Sequence, residues 1–430
     1  MQSETISAAR HGTGKHRGRQ RLSTLAVAAA FTLAGFTGGA LAQDTDESMT
    51  KHMESQVADQ LVDDFEPEQF VKIERIEGEP KDHLWVTDAN FMSMVDGRLN
   101  VFRLEDGHFL GLIPIGFNGL VQLSRDGSKV YLATTYFDRI FRGERTDLVE
   151  IWDSSTLTFE KEIKIPNKRA SSLNYDGLFT TTHDGHFALL QNATPAQSIT
   201  VVDLKEGKFT EEITATAGCW TIHPLPQTER SFATVCGDGT LRSMTIGDDG
   251  KVASQSQSTP MFSVKDDPVF VEPAYLKDGL LFFSFYGNVY TARNDGEKIS
   301  FEPSWSLLTD EDRENNWVPG SNNNVAVTDL DRNRLYVLMH PDGAEGTHKF
   351  PAAEIWVFDL EKKARIARVP GNDALSLAMV RRGDKPLMAA IDGENVAIYD
   401  VSGDEPKLSH TIEGAANTSI QMMVAGTGTH

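Results

Sequence analysis

The chain has 430 residues, of which 24% are charged, and a formal net charge of −21. So acidic a protein repels phosphate backbones, which excludes nucleic acid as its partner; it suits cationic partners or simple solubility. The length would serve two or three ordinary domains, or one large closed repeat.

Residues 15 to 42 read as an export signal. The basic KHRGRQR is followed by the apolar run Leu22 to Phe36 and by Ala40-Leu41-Ala42, a small-residue cleavage site. The run is short for a membrane span, so a retained anchor is the lesser alternative. Cleavage after Ala42 removes Arg10, Lys15, Arg17, Arg19, Arg21 and Glu4, leaving a charge of −25. The destination is an oxidising space, and the bacterial look of the leader makes it the periplasm. Gln43 to Glu68 is polar and acidic and reads as a flexible or partly helical arm. No later segment looks like a membrane helix.

From residue 69 to 430 the chain reads as one all-β, seven-bladed β-propeller. His83 to Asp88 is the first ring strand, with Phe91-Met92 in the loop after it. A marker of one apolar strand, a turn and a further strand then recurs, beginning at Leu99, Val149, Ile199, Leu241, Val289, Ile355 and Val396. The unit is clearest from Gly177 to Ala215, where Phe179–Thr182, Phe187–Gln191 and Ile199–Asp203 are parted by turns and a last strand follows. Intervals of 50, 50, 42, 48, 66 and 41 residues are what propeller blades of about four strands need. A β-sandwich or two stacked β domains is the alternative. Ile420 to Val424 could supply a strand that joins the last blade to the first.

Four stretches stand out within the ring. Arg142 to Asp147 is a charged connection in which internal ion pairing is expected. Cys219 and Cys236 bound WTIHP and SFATV, two facing strands around Leu225-Pro226-Gln227, so a hairpin-spanning disulfide is expected in an exported protein. It closes a loop of about 17 residues, worth on the order of 3 kcal/mol in the chain-entropy model. Ser306 to Asn324 is an insertion with a helix start at Thr309-Asp310-Glu311-Asp312 and a stop at Pro319-Gly320. His340 and His348 share a later loop, but no third ligand for a metal is suggested.

No nucleophile elbow, zinc-protease motif, phosphate loop or dinucleotide fingerprint appears. Phe91 reads as buried packing or as an aromatic on a docking face. From these residues alone the chain is an exported propeller of open chemistry.

Several long strings resemble the heavy chain of a quinoprotein amine dehydrogenase: TTYFDRIFRGERTDLVEIWD (134 to 153), LNYDGLF (173 to 179), GCWTIHPLP (218 to 226), VCGDG (235 to 239), MFSVKDDPVF (261 to 270), SLLTDEDRENNWVPG (306 to 320) and MHPDGAEGTHKFPAAEIWVFD (339 to 359). The likeness runs from about residue 70 to the end and looks closer to the aromatic (aralkylamine) branch than to the methylamine branch. It implies two heavy and two light chains in the periplasm, the light chain carrying tryptophan tryptophylquinone made from its own tryptophans. None of the six tryptophans here is then the cofactor. It further implies oxidation of a primary arylalkylamine to aldehyde and ammonia, with electrons passing to a blue copper protein similar to azurin. Phe91 looks like the family phenylalanine at the entrance of the substrate channel, and Cys219 and Cys236 match the family's paired cysteines. The catalytic base belongs to the light chain, so no catalytic, cofactor or metal residue is assigned here. Ser321 to Asn324 departs from the family, whose members tend to carry a further glycine and an aromatic there. The competing reading is a non-catalytic periplasmic propeller that binds or scaffolds without a light chain; a self-contained propeller hydrolase is a third.

Overall fold

The computed structural model describes residues 73–171, 175–295 and 298–425, apart from the side chains of Phe91 and Met92; the predicted export signal and the predicted acidic arm lie outside the described residues. Seven antiparallel sheets follow one another around a ring, six of them built from consecutive strands. The seven markers fall one per sheet, each in the strand next to the outermost, for example Arg145–Asp153, Ser198–Asp203 and Val396–Asp400. This position recurs in sequence because such a strand is covered by a neighbouring blade on each face, so most of its central residues are apolar. Ser198–Asp203 is buried at every residue, whereas the outermost strand of the same blade, Lys208–Ile213, is buried only at its last.

Gln421–Met423 closes the ring. It pairs antiparallel with His83–Asp88, Trp85 facing Met423 and Thr87 facing Gln421, and becomes the innermost strand of blade 1. The final strand thus covers the edge that the first strand would otherwise leave open.

Apolar layers fill the spaces between blades. Val101, Ile113, Val130 and Leu132 pack between blades 1 and 2; Val149, Ile151, Phe179 and Leu190 between blades 2 and 3; Leu84, Val86, Ile391 and Ile398 between blades 7 and 1. Each layer takes alternate residues from facing strands, so the strand period of two sets the contact.

The insertion holds a helix only over Asp310–Glu314, shorter than the stop at Pro319-Gly320 predicts. Its start is as expected: Thr309 accepts from the Asp312 backbone and Asp312 reaches back to Thr309, a complete capping box. It ends early because Asn316 turns left-handed, with φ 51°, and Trp317 packs at 5.2 Å on the buried Trp356. Arg365 and Arg368 lie over the Trp356 ring, and Asp312 accepts from Arg365 at 2.7 Å. Val318–Pro319 then pairs with Met339 and His340 as a strand of blade 6.

Candidate functional site: the junction face and the ring axis

Antiparallel order within a blade sends two kinds of connection to the same face: those from second to third strand and those from one blade to the next. Hydrogen bonds between the two kinds confirm it, Asn118 N donating to Met94 O, Ser321 N to His348 O and Gly343 N to Asn316 O. This junction face carries Ile140, Phe141, Val264, Tyr286 and Phe350, all exposed. Exposed apolar side chains also lie on the outermost strands, as at Phe109, Phe159 and Leu408, and those of the junction face make it a candidate surface for a partner.

Phe91 lies on this face, opening the 3-10 segment Phe91–Asp96, which is kinked at Ser93, between the second and third strands of blade 1. Asn90 before it is left-handed, with φ 45°, and is held by a bond from its N–H to Asp88 at 3.0 Å. Asp88 also accepts from Asn417 and Thr418, so the ring closure anchors the entry to the turn.

The support beneath is a buried network that sequence reading passed over. Arg169 is 1% exposed and donates to Phe117 O, Asn118 O, Ala170 O and Thr135 Oγ1. Burial pulls its guanidinium down to about 10. Asp147, fully buried, accepts from Thr135 and from both donors of the Arg145 fork, at 2.7 and 2.8 Å. The ion pair expected within Arg142 to Asp147 is therefore Arg145 with Asp147, though Arg145 already belongs to a strand. Asn118 is fully buried and left-handed, and neither its Oδ1 nor its Nδ2 finds a partner among the described residues.

The ring axis carries a second cluster. Asp176, at the entry to blade 3, accepts from Asn324 at 2.8 Å and Asn323 at 3.2 Å, and Gln421 of the closing strand adds a third donor. Asn323 also donates to Ile420 O. Glu272, at the entry to blade 5, accepts from Gly177 N at 3.0 Å, and its other oxygen lies 3.9 Å from His223 Nδ1. Thr221 Oγ1 is 2.8 Å from His223 Nε2. Burial first, then the charge of Asp176, pushes Glu272 up to about 8, and burial pushes His223 down to about 3. At neutral pH the two form a neutral pair despite their spacing. Burial raises Asp176 as well, yet the residue is partly exposed, because it faces an axial cavity of about 380 Å³. That cavity runs from Asp176, Asn324 and Gln421 toward the turns at Arg125 and His183 on the opposite face. The clasp of side chains thus lines the junction end of this cavity.

Ser321, Asn323 and Asn324 are buried and serve this clasp, not the outer surface. No local signal announced it, because Asp176 and Asn324 are 148 positions apart. Cys219 and Cys236 form the expected disulfide, tying the two innermost strands of blade 4 at their junction ends. His340 is buried, with Nδ1 2.8 Å from Pro341 O, and among the described residues no group of three or more metal-ligating side chains occurs.

The family model and the sequence relatives agree on one lineage. A family model described as methylamine dehydrogenase heavy chain matches residues 81–422, a span that reaches from the first ring strand into the last. The methylamine dehydrogenase heavy chain of Methylobacillus flagellatus is 26% identical over 343 residues, covering 75% of this chain and 84% of that one. That of Methylorubrum extorquens is 28% identical over 307 residues, covering 70% and 73%. Among solved structures, a dihydro-haem d1 dehydrogenase aligns with TM-score 0.53 at 14% identity, over 80% of this chain and 66% of that one. A protein of unknown function from Desulfotomaculum acetoxidans aligns with TM-score 0.53 at 14% identity, over 80% and 99%. These structural likenesses speak for the fold alone.

Proposed function

Since this chain belongs to the methylamine dehydrogenase heavy-chain family, we propose that it is the heavy subunit of a periplasmic aralkylamine dehydrogenase, docked through its junction face to a light chain that carries tryptophan tryptophylquinone. The observation that carries the proposal is the family match over residues 81–422, which takes in strands of all seven blades. When present on the light chain, the quinone would supply the two-electron oxidation by which a primary amine and water give aldehyde, ammonia and two protons, and no residue of this chain is assigned to that chemistry. Electrons then pass to a blue copper protein similar to azurin.

This chain's own part is to bind, orient and enclose. In this reading access runs along the junction between the subunits. The Phe91 turn lies on that junction, braced by Asp88 before it and by Asn118 behind it. An aromatic there would wall the entrance and select by shape for an aryl group, an effect of about 1–3 kcal/mol for an apolar pocket. The aralkylamine preference rests on the likeness of the sequence strings to that branch. A methylamine preference is the second reading, favoured by the names of the matched relatives.

The test is co-expression with a family light chain, followed by steady-state rates on 2-phenylethylamine and on methylamine. A higher kcat/KM for the aryl substrate supports the proposal, and a clear preference for methylamine replaces it with the second reading. A purified heavy chain that binds no light chain and leaves amines untouched would favour a scaffold role.

A further inference from the structure

The hairpin between the second and third strands of blade 2 presents its two most apolar residues to solvent. Ile140 is 71% exposed and Phe141 62%, the highest values among the large hydrophobic side chains of the junction face. Ile140 is also left-handed, with φ 69°, a conformation that a β-branched residue adopts only under strain.

The tip is nevertheless held firmly. Arg139 N donates to Arg142 O, Ile140 N to Phe137 O, and Glu144 N to the Asp138 carboxylate at 3.0 Å. Gly143 is required, because a Cβ there would fall 1.6 Å from Asp138 Oδ1. At the base Phe137 meets Phe117 edge-on at 5.7 Å, and the Arg169 network fixes Phe117 O. Through Asn118 this support is continuous with the Phe91 turn. A free loop would relax the strain at Ile140; this one is built to keep it.

Arg139 and Arg142 flank the tip, with Arg142 lying over the Phe141 ring at 5.8 Å. Asp138 and Glu144 balance these two arginines, so on a protein of charge −21 the tip is an apolar knob of no net charge. We propose that Ile140 and Phe141, continuous through Asn118 with the Phe91 turn, are the anchor by which this chain seizes its light subunit, seating in an apolar pocket. The inference rests on the proposed function for the identity of the partner. Preformed apolar anchors of this kind dominate interface energies because they are immobilised before binding.

The test uses the full heavy chain and a co-expressed light chain, with dissociation constants from sedimentation of the purified complex. Phe141→Asp is expected to weaken binding at least tenfold, while Phe209→Asp on the outer strand of blade 3 leaves it unchanged. Ile140→Gly relieves the left-handed strain, so it should weaken binding while melting at or above the parent temperature. That combination separates a docking role from a structural one, since a residue kept for folding would lower both. Light-chain binding that survives Phe141→Asp and Ile140→Gly overturns the inference and leaves the proposed function standing. If the parent chain binds no light chain at any concentration, both fall.

Discussion

Replacing Glu272 with Gln isolates the most perturbed acid on the axis. Its carboxyl is raised from 4.5 to about 8 by burial and by Asp176, so the folded chain holds a proton that the unfolded chain has released. The unfolded state therefore binds fewer protons between about pH 4.5 and 8, and stability falls as pH rises through that window. The slope approaches about 1.4 kcal/mol per pH unit, giving roughly 3 kcal/mol lost by pH 7 and 4–5 kcal/mol once both states are ionised. Gln keeps an oxygen to accept from Gly177 N and has no proton to lose. Urea unfolding of parent and Glu272→Gln chains at pH 5, 6, 7 and 8 should show the variant gaining on the parent by about that slope, with the gain levelling off above pH 8. His223 carries the opposite sign: its lowered value costs stability only below about pH 6.5, and in both chains alike. Parallel parent and variant curves across the four pH values would refute the burial argument, because they would mean that Glu272 is ionised in the folded ring or solvated within it.

Three other outcomes test the supports of the junction face. Replacing Cys219 and Cys236 together by Ser should cost about 3 kcal/mol in chemical unfolding under oxidising conditions, with no difference from the parent once the parent is reduced. Arg169→Met leaves Phe117 O and Asn118 O without donors deep in the ring, so a loss of about 2–4 kcal/mol is expected in urea unfolding; a neutral result would show that other donors reach these carbonyls. Asp312→Ala removes half of the capping box and the partner of Arg365, for an expected loss of about 1–3 kcal/mol and faster proteolysis between residues 306 and 324.

Repetition is what made the ring readable. A strand enclosed between two blades is apolar at most of its central residues, and its outer neighbour must tolerate water, so the same pattern returns at Val149, Ile199 and Val396 whatever the side chains do locally. Closure by Gln421–Met423 followed from the need to cover a free edge, and the Cys219–Cys236 pair from two thiols on facing strands. The capping box at Thr309 was equally local, but the end of that helix was not: Trp317 left it to stack on Trp356, a partner in another strand.

The sequence by itself therefore determined the number of blades, the sites of closure and the covalent tie, because each depends on neighbours within one blade or on a period along the chain. Only the tertiary structure decided which side chains meet across the ring. Asp176 joins Asn324 and Gln421 on the axis, Arg169 braces Phe117 and Asn118, and Ile140 is held left-handed on an exposed tip. These contacts link residues whose separation in sequence carries no signal, and they exist only once seven sheets have closed and brought their junction ends to a single face.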